Sequence, residues 1–158
     1  MKRLLFILLI LPLTLFAQIQ NEHKDFDFWL GEWKVYKTGT DQFVGNSKIE
    51  SINDGFAIIE TYSTPSGYKG SSLNNYNKLS GKWEQYWSDN TGFVLHMSGG
   101  VKNNSMVMDD ILLHHDHSTH NRITWTPNED GTVRQVWEQS YDEDFSWSVI
   151  FDGTYVPR

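Results

Sequence analysis

The chain has no cysteine, no basic run and, past its first segment, no apolar stripe at helical spacing longer than about ten residues. Each absence removes chemistry. Without cysteine there is no disulfide, no thiol nucleophile, no cysteine-ligated zinc and no iron–sulfur cluster, so the packed core has to suffice. Without a basic run, and with a formal net charge of −7, the surface is unsuited to nucleic acid or to an anionic membrane. A Gly-x-Ser-x-Gly elbow, a His-Glu-x-x-His pair and a phosphate loop are all missing, which leaves serine hydrolase, zinc protease and nucleotide chemistry without support. There is no fixed-period repeat and no Pro- or Ser-rich linker, hence no sign of a second domain.

The chain starts Met1-Lys2-Arg3, runs apolar from Leu4 to Phe16 and reaches Ala17-Gln18. This order reads as a secretory signal peptide over residues 1–17, followed by one mature domain over 18–158 that is exported to the periplasm or beyond the cell. The apolar run, about thirteen residues, is short of the ~20 that a membrane-spanning helix needs, so no stable membrane insertion is expected once the signal is removed. The competing reading keeps this segment as an N-terminal anchor. No cysteine follows it, so lipid attachment at that point is excluded.

Aromatic residues are abundant instead: 7 Trp, 7 Tyr and 9 Phe. Such rings bury large areas at little cost in rotamer freedom and suit sheets and cavities. Short alternating runs separated by turn residues fill the mature chain. The runs are 33–36, 48–52, 56–62, 71–76, 82–87, 93–97, a segment from 106 to 113, 122–126, 132–138 and 147–151. Turns are expected at Asn53-Asp54-Gly55, Pro65-Ser66-Gly67, Ser80-Gly81, Asp89-Asn90-Thr91-Gly92, at Gly99-Gly100, and at Glu129-Asp130-Gly131. About ten short strands with mostly hairpin-length connections predict an all-β, antiparallel up-and-down barrel rather than βαβ units.

The stretch from Phe26 to Tyr36, Phe-Asp-Phe-Trp-Leu-Gly-Glu-Trp-Lys-Val-Tyr, reads as a one-turn helical plug that passes through Gly31 into the first strand, with Trp33 as its anchor. Gly31-Glu32-Trp33 resembles the Gly-x-Trp start of the calycin group, which includes lipocalins and fatty-acid-binding proteins. That resemblance implies a tryptophan closing one end of the barrel, with Arg158 of the last strand as a stacking partner. The chain also resembles the secreted bacterial proteins of the DUF1579-like, lipocalin-like type. The likeness rests on 26–33, on Trp83-Glu84-Gln85-Tyr86-Trp87-Ser88-Asp89, on Arg122-Ile123-Thr124-Trp125-Thr126-Pro127 and on Phe151-Asp152-Gly153-Thr154-Tyr155. It spans most of the mature chain and departs at 114–120. That family carries no assigned activity, so the resemblance implies a fold and not a reaction.

Four groups of residues invite chemistry. Trp83, Gln85 and Trp87 share one strand face, as do Gln135, Trp137 and Gln139, and Glu60 aligns with Phe56, Ile58 and Tyr62. Turned inward, together with Trp125, these faces would line a pocket that is aromatic with a few polar groups, suited to a flat, partly polar ligand. The alternatives are a packed core with backbone-bonded Gln side chains, or faces turned to solvent. The cluster His114-His115-Asp116-His117-Ser118-Thr119-His120 offers imidazoles at His115, His117 and His120 that zinc, copper or nickel would accept. A solvated hairpin tip explains the same residues. His96, alone in an apolar strand, is compatible with a haem ligand, with a structural or solvent-facing histidine, or with a Glu60–His96 acid–base pair. The segment from Ser140 to Trp147 looks like a degenerate Asp-box turn.

No cofactor is expected. The residues together suggest a secreted lipocalin-like barrel that binds a small aromatic or amphipathic molecule through Glu60, Trp83, Gln85, Trp87, Trp125, Gln135 and Trp137. One alternative is an exported, non-catalytic structural or interaction module with a packed core, and another is a hydrolase or isomerase working in the cavity.

Overall fold

In the computed structural model, residues 21–110, 119–141 and 146–158 are described. Two 3-10 turns, Glu22–Lys24 and Asp27–Trp29, precede ten strands. These are β1 (Gly31–Lys37), β2 (Phe43–Ile52), β3 (Ala57–Ser63), β4 (Lys69–Asn77), β5 (Lys82–Asp89), β6 (Val94–Lys102), β7 (Ser105–Asp110), β8 (His120–Pro127), β9 (Val133–Ser140) and β10 (Ser148–Pro157). Each strand pairs antiparallel with its chain neighbour, and β10 closes on β1 through Trp33↔Pro157, Val35↔Tyr155 and Lys37↔Gly153. The fold is therefore a closed ten-stranded antiparallel barrel of the lipocalin-like type, and closure removes the bare sheet edges that invite aggregation.

Period-two alternation puts one face of every strand inside. Trp83 and Gln85 on β5, Ile58 and Glu60 on β3, Ser72 and Asn74 on β4, and Ile123 and Trp125 on β8 are all buried, while their chain neighbours are more exposed. The turn before β3 uses three consecutive left-handed residues, Asn53 (φ 52°), Asp54 (φ 56°) and Gly55 (φ 87°). Asn, Asp and Gly are the residues that tolerate this region, so the expected turn forms where its residues favour it.

Several boundaries differ from the sequence reading: β2 starts already at Phe43, and two strands run past their expected ends. Gly99 and Gly100 do not end a strand: β6 runs on to Lys102, and the reversal is made at Asn103 and Asn104, both at positive φ. The reason for Gly99 is proximity. A Cβ there would lie 1.9 Å from the Val107 carbonyl oxygen of β7. The last strand does not stop at Phe151 but continues to Pro157, because β1 supplies a partner for it.

The end of the barrel from which β1 starts is filled by aromatic side chains. Phe26 stacks on Trp29 with centroids 5.0 Å apart and meets Trp83 and Trp125 edge-on at 5.6 and 5.2 Å. Trp29 also contacts Trp125 and Tyr155. Trp33 belongs to this plug, donating its indole N–H to the Trp29 carbonyl at 3.0 Å, but Phe26 and Trp29 are its centre. Gly31 enters β1 at φ +136°, a conformation that side chains disfavour. Arg158 does not stack on Trp33. It pairs through its backbone and side chain with Glu32 on the outer surface.

Candidate functional site

The half of the barrel away from the plug is not filled. It holds a cavity of about 210 Å³ whose walls carry Tyr62, Tyr68, Trp87, Trp137, Phe151 and Tyr155 as rings and Leu95, Ile123 and Ile150 as aliphatic surface. Three polar side chains, Glu60, Gln85 and Gln135, converge on it. Five of the seven residues expected to line a pocket, Glu60, Gln85, Trp87, Gln135 and Trp137, thus meet at one cavity. Trp83 and Trp125 do not. They lie deeper, against Phe26, as part of the floor.

Glu60 has relative exposure of 3 % and sits at the end of a directed chain of hydrogen bonds. Gln85 Nε2 donates to Asn74 Oδ1 at 2.8 Å, and Asn74 Nδ2 donates to Ser72 Oγ at 2.9 Å. Ser72 Oγ then donates to Glu60 Oε2 at 3.4 Å, and from β2 Ser47 Oγ donates to Oε1 at 2.7 Å. Period two makes this possible, because Ser47, Glu60, Ser72 and Gln85 all point inward from adjacent strands. The Tyr155 hydroxyl on β10 donates to Gln135. Burial pushes the Glu60 carboxyl up to about 7, against the hydrogen bonds from Ser47 and Ser72 that favour its charged form. Burial, together with the nearby Glu60 charge, also pushes the Tyr62 phenol up to about 12 and holds Tyr155 well above its ordinary value.

The rim is organised as well. Tyr68 donates to Asp89 Oδ2 at 2.9 Å and meets Tyr62 edge-on at 6.3 Å. Asp89 is lowered to about 2, first by its hydrogen bond from the Thr91 hydroxyl. Trp137 is oriented by Asn121, whose Oδ1 accepts from both Trp137 Nε1 and Gln139 Nε2 at 2.9 Å, while its Nδ2 donates to Asp110 at 3.1 Å.

Sequence reasoning missed Tyr68, Leu95, Ile123, Ile150, Phe151 and Tyr155 as wall residues. For Phe151 and Tyr155 the signal was present: Phe151, Gly153 and Tyr155 alternate at period two within a stretch singled out for other reasons. Ile150 reaches the cavity through a register shift between Val149 and Phe151, which alternation alone does not reveal.

The remaining expectations are placed as follows. His96 is on the outer face of β6, stacked on Tyr86 at 3.9 Å, with Nε2 4.0 Å from Glu84. Glu60 and His96 therefore face opposite sides of the barrel wall and form no acid–base pair. His115 and His117 lie outside the described residues, as does the centre of the Asp-box-like segment, 142–145. His120 opens β8. Among the described residues, no three His, Asp or Glu side chains come together as a metal site. On the outside, Ile59, Leu73 and Tyr86 form an exposed row in cross-strand register.

Compared with family models and with curated proteins, the chain matches none.

Proposed function

We propose that this chain is an exported lipocalin-like barrel, similar to the DUF1579-like group, that holds a small aromatic or amphipathic ligand. The cavity carries this reading: apolar rings around a few convergent polar groups form the ordinary composition of a small-molecule site. Its size supports one ring with a short substituent, since an apolar cavity of about 150 Å³ accepts benzene. Filling the plug end with Phe26, Trp29, Trp83 and Trp125 makes the opposite half the place where a ligand is held. Native mass spectrometry of the protein purified from its own host tests this. A bound mass released on unfolding is expected, and Trp137→Ala should lose it. A chain that carries no added mass, and whose tryptophan emission no aromatic probe perturbs, overturns the reading.

A second reading is favoured by Glu60. A carboxyl that titrates near 7 inside a cavity is suited to moving a proton to and from a bound substrate, as in an isomerase. Among the described residues no nucleophile with an activating base faces it, so this reading rests on one group. Turnover of a bound carbon acid that disappears in Glu60→Gln would favour it over simple binding.

A further inference from the structure

This inference rests on the binding reading above and concerns what the ligand brings with it. Among the described wall residues Glu60 is the one carboxyl, and none is Lys, Arg or His. Ser72 accepts from Asn74, so its own proton is free for Glu60, and Ser47 gives its proton from the opposite side. Hydrogen bonds that run toward both carboxyl oxygens suit a carboxylate, which only accepts. A buried carboxylate gains most from a counter-charge, and the described wall residues provide none.

We propose that the ligand supplies that charge: it is an aromatic amine, with its protonated nitrogen on Glu60 and its ring among Trp87, Trp137 and Tyr62. The walls reinforce the choice, because the faces of Trp and Tyr attract cations. Gln85 spends one amide N–H on Asn74, and its carbonyl oxygen is an acceptor for a second ammonium proton. Among the described residues, the groups packed around Glu60 leave it to titrate alone. Ser47 on β2 and Ser72 and Asn74 on β4 carry no charge. The phenols of Tyr62 on β3 and Tyr155 on β10 are both raised, as is Tyr68 at the rim, and all three stay neutral through pH 9.

The test is calorimetric titration of the full chain and of Glu60→Gln with three probes of similar shape: 2-phenylethylamine, 2-phenylethanol and 3-phenylpropionate, from pH 5.5 to 8.5. At pH 8 the amine should bind roughly tenfold or more tightly than the alcohol, the size of one hydrogen-bonded charge contact. As pH falls through about 7, the amine should weaken by up to about tenfold per unit, because Glu60 must give up its proton to receive the cation. The alcohol should stay level, and the propionate should bind weakest at pH 8. Glu60→Gln should bring the amine to the alcohol's affinity and abolish its pH dependence.

An alcohol that binds wild type as tightly as the amine at pH 8 overturns the charge assignment and leaves the cavity as a neutral site. An amine advantage that survives in Glu60→Gln overturns it too. Should that variant not fold, the wild-type ratio of amine to alcohol and its pH course decide alone. Binding by none of the three sinks the inference, and the co-purified mass described above then decides separately whether the cavity reading falls with it.

Discussion

Trp87 occupies the space that a side chain at position 70 would need: a Cβ on Gly70 would lie 2.0 Å from Trp87 Cζ2. A parallel relationship joins Gly45 to Tyr62, whose hydroxyl would be 2.6 Å from an added Cβ. Two inward glycines on β2 and β4 thus make room for two of the aromatic walls of the cavity. Gly70→Ala should push the Trp87 indole from its place, costing about 1–3 kcal/mol as overpacking does. Denaturant unfolding followed by tryptophan emission reads the cost, and a shifted emission maximum reads the displaced ring. Unchanged stability and emission would mean that Trp87 is not held by this contact.

The Glu60 carboxyl makes stability depend on pH in a defined direction. Its folded value, about 7, lies above its ordinary 4.5, so the folded state holds the proton more tightly than the unfolded chain. The resulting stabilisation is fully present below about pH 4.5 and is lost as pH rises through about 7, amounting to about 3 kcal/mol over that window. Glu60→Gln should flatten this part of the profile and be the more stable protein at pH 8. Urea unfolding at pH 5, 6.5 and 8 measures it, and parallel profiles for the two proteins would remove Glu60 as the cause.

Phe26 touches Trp29, Trp83 and Trp125 and is fully buried. Phe26→Ala should destabilise the barrel by about 3–5 kcal/mol, the usual cost of emptying an aromatic core position. Because the plug lies beneath the cavity and does not line it, the variant that is still folded should keep most of its affinity for any ligand. Thermal unfolding combined with calorimetry separates the two effects.

Asn121 is the acceptor that Trp137 and Gln139 share. Asn121→Ala leaves both donors without it, at a cost of about 1–3 kcal/mol, and frees the Trp137 ring to turn. Ligand affinity should fall together with stability, whereas Gln139→Ala should lower neither by more than about 1 kcal/mol. Equal losses in the two variants would indicate a general weakening of this rim and not a set orientation of Trp137.

That Trp83, Gln85 and Trp87 share one face of β5 was legible because they alternate cleanly, and the same rule grouped Gln135 with Trp137 and Glu60 with Tyr62; that these faces turn inward was not. The rule failed to separate floor from wall: Trp83 and Trp87 share a face, yet one lies against Phe26 and the other lines the cavity. Alternation states which residues share a side of a sheet. How far along the barrel axis it sits depends on register with neighbouring strands. The same limit explains why Gly99 looked like a strand end, since only the approach of Val107 gives that glycine its reason.

Composition, period-two alternation and turn residues by themselves determined an all-β chain of about ten strands, entered through an aromatic plug at Phe26 to Trp33, because these are local properties of backbone and side chain. Only the tertiary structure decided the register in which β10 closes on β1, that Tyr155 comes to face Gln135, and that Ser47 and Ser72 converge on Glu60 from strands on either side. Those relationships are between residues far apart in the chain or on separate strands. Closure and register, which no single strand encodes, bring them together around one buried carboxyl.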